Sequence, residues 1–202
     1  DILEKIIKNL QEEKQIRNMN LTEEEEFLVR EYGFLTQKKV IYIANIKEED
    51  IGKENDRIKK IKDYAKKAGD ECVVICAKIE EEISKLDKEE KREYLEALGI
   101  ESSGLDMIAK KCFDLLGLQT YLTTGEKETR AWTIQKGDTA PKAAGVIHTD
   151  FERGFIRANI ISFDDFVKYN GLKKAREVGA IRQEGKEYVM QDGDIVEFLF
   201  NV

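Results

Sequence analysis

The only histidine of the 202-residue chain sits in its most chemically crowded stretch, Gly145-Val146-Ile147-His148-Thr149-Asp150-Phe151-Glu152-Arg153-Gly154-Phe155-Ile156-Arg157. His148 and Asp150 are types used for proton transfer. No nucleophile stands near them in sequence, and a spacing of two along a loop fixes no geometry, so no catalytic residue is assigned. Two readings of the stretch stay open. One is a polar loop between a helix and a strand that holds a small module together. The other is a contact surface for RNA or another partner, built from Lys136, Lys142, His148, Arg153 and Arg157 with Trp132 nearby. Trp132 falls inside an alternating strand pattern and is expected in a core, not on a stacking platform. Two further polar sets, Asn45-Ile46-Lys47-Glu48 and Ala77-Lys78, each follow a short apolar run. The single histidine and the scattered Cys72, Cys76 and Cys112 do not make the clustered ligand set that zinc takes, so no metal site is expected from this chain alone.

The elements that must position these residues can be read from periodicity. Ile2, Leu3, Ile6, Ile7 and Leu10 recur at helical spacing, and Thr22 with Glu25 reads as a capping box opening a second short helix. These helices suit an extended helical arm, although periodicity alone favours solvated amphipathic helices on a globular core. Val40-Ile41-Tyr42-Ile43-Ala44 is a continuous apolar run that predicts a strand buried on both faces, as in a parallel sheet. A helix carrying Ile58, Ile61, Tyr64 and Ala65 follows, and then a second buried run, Cys72-Val73-Val74-Ile75-Cys76. Strand, helix and strand of this length make a βαβ unit, whose ligands sit at the carboxyl ends of the strands. Asn45 to Glu48 and Ala77-Lys78 stand at those ends.

Many P-loop GTPases place Asn-Lys-x-Asp there. The aspartate accepts two hydrogen bonds from guanine and the asparagine braces the neighbouring loop. Here Ile46 and Glu48 occupy the second and fourth positions, and the longer carboxylate is expected to weaken guanine selectivity. Ala77-Lys78 resembles the base-backing loop of the same enzymes. Taken alone, both sets also read as ordinary polar loops.

Asp87 with Glu90 caps a helix carrying Tyr94, Leu95 and Leu98, and Ser103 opens another with Leu105, Ile108, Cys112 and Leu115 on one face. Beyond residue 118 the style changes: 10 of the 14 glycines lie after residue 100, which predicts shorter elements and more turns. Strands are expected at Tyr121-Leu122, Arg130 to Ile134, Gly154 to Ile160 and Ile195 to Phe200, and a short helix from Thr139-Pro141. The fold class expected is α+β.

The net charge of −7 excludes a diffuse basic coat for nucleic acid but not a local basic patch. No apolar run approaches the roughly 20 residues that span a bilayer, so no membrane partner is expected. The odd, sparse cysteine set fits a reducing compartment. Asp1-Ile2-Leu3 is not an initiator sequence, and further chain is expected upstream. No Gly-x-x-x-x-Gly-Lys-Ser/Thr phosphate loop occurs, so the chain by itself is not expected to hydrolyse a nucleotide.

A family is identified on longer stretches. Leu118-Gln119-Thr120-Tyr121-Leu122-Thr123-Thr124-Gly125, Arg130-Ala131-Trp132-Thr133-Ile134, Ala140-Pro141-Lys142-Ala143-Ala144-Gly145, Ile147-His148-Thr149-Asp150-Phe151, Gly154-Phe155-Ile156-Arg157-Ala158 and the ending Phe198-Leu199-Phe200-Asn201-Val202 form a collinear set. They closely resemble the TGS domain of the YchF family, Obg-related P-loop proteins. Tyr42-Ile43-Ala44-Asn45 and Cys76-Ala77-Lys78-Ile79-Glu80 resemble the same family upstream. The resemblance implies three parts: residues 1–36 as the end of a helical coiled-coil insertion, 37–117 as the C-terminal half of a P-loop α/β nucleotide domain, and 118–202 as a β-grasp (TGS) domain. It implies ATP, or less readily GTP, at Asn45, Ile46, Glu48, Ala77 and Lys78. Mg2+ would be held by residues outside this chain. It further implies hydrolysis by the intact protein, a ribosome partner (large subunit or 70S), RNA contact through the TGS domain, and a cytoplasmic location.

Overall fold

Apolar residues at helical spacing organise the first forty residues around a small core of their own. Helix α1 (Ile2–Gln11) points Ile6 inward, where it meets Ile16 and Val29, with Met19, Leu21 and Phe34 packed around them. Helix α2 (Glu23–Val29) begins with the expected capping box: the Thr22 hydroxyl accepts from the Glu25 amide at 3.2 Å, and the Glu25 carboxylate accepts from the Thr22 amide at 3.0 Å. The computed structural model describes residues 2–125 and 128–201. The chain divides into two units, residues 1–115 and 116–202.

In the first unit the βαβ expectation is met. Strand β1 (Ile41–Asn45) pairs in parallel with β2 (Glu71–Ile75), joined by α3 (Asp56–Ala68). Asn55 caps α3 by accepting from the amides of Arg57 and Ile58, and Gly69 ends it at φ +73°, a conformation that glycine adopts without strain. Burial on both faces is not what the structure shows. Ala44 and Val73 are buried, but Ile43 is 52% exposed, because this sheet has two strands among the described residues and too few neighbours to cover both faces. Helices α4 (Ala77–Ile83), α5 (Lys88–Ala97, with a capping box from Asp87 and Glu90) and α6 (Gly104–Leu116) follow. Cys76, Ile79, Ile83 and Leu95 form a core shared by α4 and α5. On α6 the expected stripe is half-buried at Ile108, Cys112 and Leu115 and exposed at Leu105, and Phe113 and Leu116 beside it are exposed. Arg17 ties the N-terminal cluster to β2: its guanidinium donates to both Asp70 carboxylate oxygens, at 3.2 and 3.0 Å.

The second unit is a mixed five-stranded sheet. Its strands are β3 (Leu118–Thr124), β4 (Thr129–Gln135), β5 (Phe155–Ser162), β6 (Arg182–Glu184) and β7 (Asp194–Phe200), in spatial order β4-β3-β7-β5-β6. Only the β3–β7 pair is parallel. Helices α7 (Ala140–Ile147) and α8 (Thr149–Arg153) lie between β4 and β5. Small residues let α7 approach closely: Ala140, Ala143 and Ala144 are fully buried with Tyr121, Ala158 and Ile160. The Tyr121 hydroxyl donates to the Ala143 carbonyl at 2.9 Å, and burial pushes its phenol well above the usual range. Helices α9 (Phe163–Lys168) and α10 (Leu172–Glu177) pack on a second cluster formed by Ile161, Ala175 and Ile195. The expected polar loop at 148–153 is helix α8, because His148 supplies a cap: its Nδ1 accepts from the Asp150 amide at 3.2 Å.

Candidate functional site

Parallel pairing of β1 with β2 brings their carboxyl ends level, with Asn45 opposite Ile75. The two polar sets that follow the strands thereby meet. The Asn45 side-chain oxygen accepts from the Ala77 amide at 3.0 Å, so the asparagine pins the start of α4. Ala77 and Lys78 are the first residues of that helix and not a loop, since Ile79 and Ile83 pull the segment onto the α5 core. Lys78 reaches back to the Glu48 carboxylate at 2.9 Å and lies 3.8 Å from Glu82. Tyr94 completes the network by donating to Glu82 at 2.7 Å. The Glu48 hydrogen bond and charge, with Glu82 behind them, hold the Lys78 ammonium above its ordinary range. The bond to Glu82 likewise raises the Tyr94 phenol.

Asn45, Ile46, Glu48 and Lys78 line one open cleft of about 730 Å³, with Lys47, Glu49, Cys76 and Leu98. Ala77 joins through its amide. Sequence reasoning missed Leu98 as a wall of this cleft, because it comes from the end of α5 and only packing brings it there. It also missed the Glu82–Tyr94 support, although Lys78 and Glu82 at i, i+4 were a legible signal. No group of metal-ligating side chains occurs among the described residues.

The basic residues of the second unit do not form one surface. Lys142 on α7, 3.7 Å from Asp138, and His148 and Arg153 at the ends of α8 belong to the α7–α8 side of the sheet. Arg157 lies on β5 between the inward Phe155 and Ala158 and donates to Gln183 at 3.3 Å, on the other face. Lys136 follows β4, its amide bonded to the Gly117 carbonyl. His148 lies 3.4 Å from Asp150, but its ring nitrogen serves the helix cap and no nucleophile joins the pair. Trp132 is half-buried against the main core, as expected. Its indole N–H donates to Thr123 at 2.9 Å, and the Arg130 guanidinium covers its ring at 4.1 Å.

The arrangement has counterparts among known proteins. A GTP binding protein from Pyrococcus horikoshii OT3 shares the fold over 80% of this chain and 45% of its own, with a TM-score of 0.55 and 22% identity. The YchF GTPase of Schizosaccharomyces pombe matches 98% of this chain and 53% of its own, with a TM-score of 0.83 and 37% identity. Residues 118–201 match the family model described as YchF-GTPase_C, a protein of unknown function. A ribosome-binding ATPase YchF from Bacillus subtilis (strain 168) is 48% identical over 204 residues, covering 100% of this chain and 56% of the relative. One from Escherichia coli O157:H7 is 46% identical over 201 residues, covering 100% and 55%. The fold is thus mixed α/β and structurally close to that of the Schizosaccharomyces pombe protein. The chain is homologous along its whole length to proteins named YchF, and it spans about half the length of the curated relatives it matches.

Proposed function

We propose that this chain is the C-terminal part of a cytoplasmic, ribosome-associated nucleotide-binding protein, and that Asn45, Ile46, Glu48, Ala77 and Lys78 form the wall that receives the base. The observation that carries the reading is the joint Asn45–Ala77 and Glu48–Lys78 bonding across the ends of two parallel strands, where ligands of such sheets bind. Relatives described as ribosome-binding ATPases and a YchF GTPase support it. Residues 1–36 would close a helical insertion, 37–117 complete a P-loop domain, and 118–202 form a β-grasp TGS domain of the Obg-related kind.

The base preference follows from charge. A free carboxylate presents two acceptors to the two donors of guanine. One Glu48 oxygen is engaged by Lys78, so that bidentate contact is reduced and ATP is favoured over GTP. This chain's residues would orient the base; the intact protein's phosphate loop and Mg2+ ligands would supply hydrolysis. In a chain of the relatives' full length, Lys78→Ala should free Glu48 and raise the GTP-to-ATP affinity ratio about tenfold. Unchanged selectivity in both Lys78→Ala and Glu48→Asp would overturn the assignment.

A second reading, a non-catalytic module that contacts RNA or a ribosomal protein through Lys136, Lys142, His148 and Arg153, is favoured by Arg153, which is exposed at the end of α8. Ribosome co-sedimentation of a Lys142→Ala/Arg153→Ala chain tests it: undiminished pelleting sinks this surface. Arg157→Ala, on the other face, serves as the control.

A further inference from the structure

On the face of the five-stranded sheet away from α7, Asn159 of β5 stands opposite Glu197 of β7. Its amide nitrogen donates to the Glu197 carboxylate at 2.9 Å. A carboxylate only accepts, so this bond fixes which end of the amide faces Glu197. The Asn159 oxygen is then buried with no partner among the described residues. A buried acceptor without a donor costs about 1–3 kcal/mol, so its retention asks for an explanation.

The surroundings supply one. Asn159 and Glu197 line a recess of about 20 Å³ with Thr124, Leu172 and Arg176, large enough for a single water, amino or hydroxyl group. Thr124, Leu172 and Arg176 also line a neighbouring open cleft of about 700 Å³, with Phe166 and Lys173. That is within the usual size of small-ligand sites, roughly 300–1,000 Å³. Lys173 and Arg176 are exposed on α10, and neither pairs with a carboxylate among the described residues. The place therefore offers two acceptors in a recess, two cations and the single carboxylate of Glu177 along the adjoining cleft, and the apolar side chains of Phe166 and Leu172 beside them.

The geometry points to a second ligand site, separate from the Asn45–Glu48 cleft, that takes a phosphorylated nucleoside, either free or as a unit of a single RNA strand. An amino or hydroxyl donor of the base or ribose enters the recess toward Asn159 and Glu197. The phosphate meets Arg176 and Lys173, and the flat apolar part of the ligand lies over Leu172 and Phe166. A nucleotide carries donors at one end, negative charge at the other and a planar body between, which is the complement of this surface.

The test is calorimetric titration of the 202-residue chain with AMP, CMP, GMP and UMP and, separately, with a single-stranded RNA hexamer, at low salt. Saturable binding is expected, weakened about tenfold or more in Lys173→Ala/Arg176→Ala, as for loss of charge-assisted hydrogen bonds. It should also weaken in Asn159→Leu, which fills the recess, and be unchanged in Lys186→Ala, an exposed cation that lines neither the recess nor the cleft. Binding of the mononucleotides alone identifies a free nucleotide, and binding of the hexamer alone identifies RNA; both support the site. No binding of either, binding insensitive to the Lys173/Arg176 double change, or binding weakened as much by Lys186→Ala would overturn it. Lys173 and Arg176 are exposed, so the double variant decides the matter even if Asn159→Leu does not fold.

Discussion

The two sheets of this chain solve the problem of covering themselves to different degrees. Five strands with helices on both faces bury Tyr121, Ala158, Ile160 and Ile161 almost completely. Two strands with one crossover helix bury only Ala44 and Val73 and leave Ile43 half in solvent. Apolar area removed from water is the main favourable contribution to folding, so the five-stranded sheet carries a core of its own while the two-stranded sheet relies on the helical clusters and side-chain ties around it. The difference teaches that similar apolar runs have different consequences. A run of β-branched residues specifies a strand, but the number of neighbouring strands decides whether it is a core.

The contrast can be broken by mutation. Ile160→Ala should have the largest effect, about 3–4 kcal/mol off the second unit in denaturant unfolding, because a fully buried side chain leaves a cavity. Arg17→Ala should cost the first unit a comparable or slightly smaller amount, about 3 kcal/mol. It strands Asp70, whose side chain is 6% exposed, without its guanidinium. If Arg17→Ala proves silent by hydrogen exchange at β1 and β2, the first unit does not rely on that tie. Asn45→Ala should cost about 1 kcal/mol, seen as faster exchange of the Ala77 amide, since one hydrogen bond is lost at an exposed site.

The smallest effect is on pH. Burial and the hydrogen bond to Asp194 push the Tyr188 phenol up to about 12 from its ordinary 10. Between those values the unfolded chain loses its proton first. This contribution to stability is therefore complete below pH 10 and declines as pH rises toward 12. Denaturation midpoints of the second unit at pH 9 and 11 should differ in that sense. The Tyr188→Phe variant should lose less over the same interval.

Much of this was legible in sequence. The capping boxes at Thr22 and Asp87 appear where Glu25 and Glu90 required them. The runs at Val40 and Cys72 became parallel strands, so the meeting of Asn45 with Ala77 followed from topology. Helices α9 and α10, six residues each, and the three-residue β6 were not legible, since fewer than two turns or two alternations carry no period. Helix α8 escaped because histidine is not among the usual caps. Leu98 and the orphaned Asn159 oxygen are products of tertiary packing and have no local signature.

The Glu48–Lys78 pair has one more consequence. Both side chains are largely in solvent, 47% and 67% exposed, so their attraction is screened by dissolved ions. If that pair biases the choice of base, the bias is not a fixed property of the protein. Raising ionic strength would loosen the lysine and return both carboxylate oxygens to an incoming base, making purine discrimination a quantity that the ionic medium can adjust.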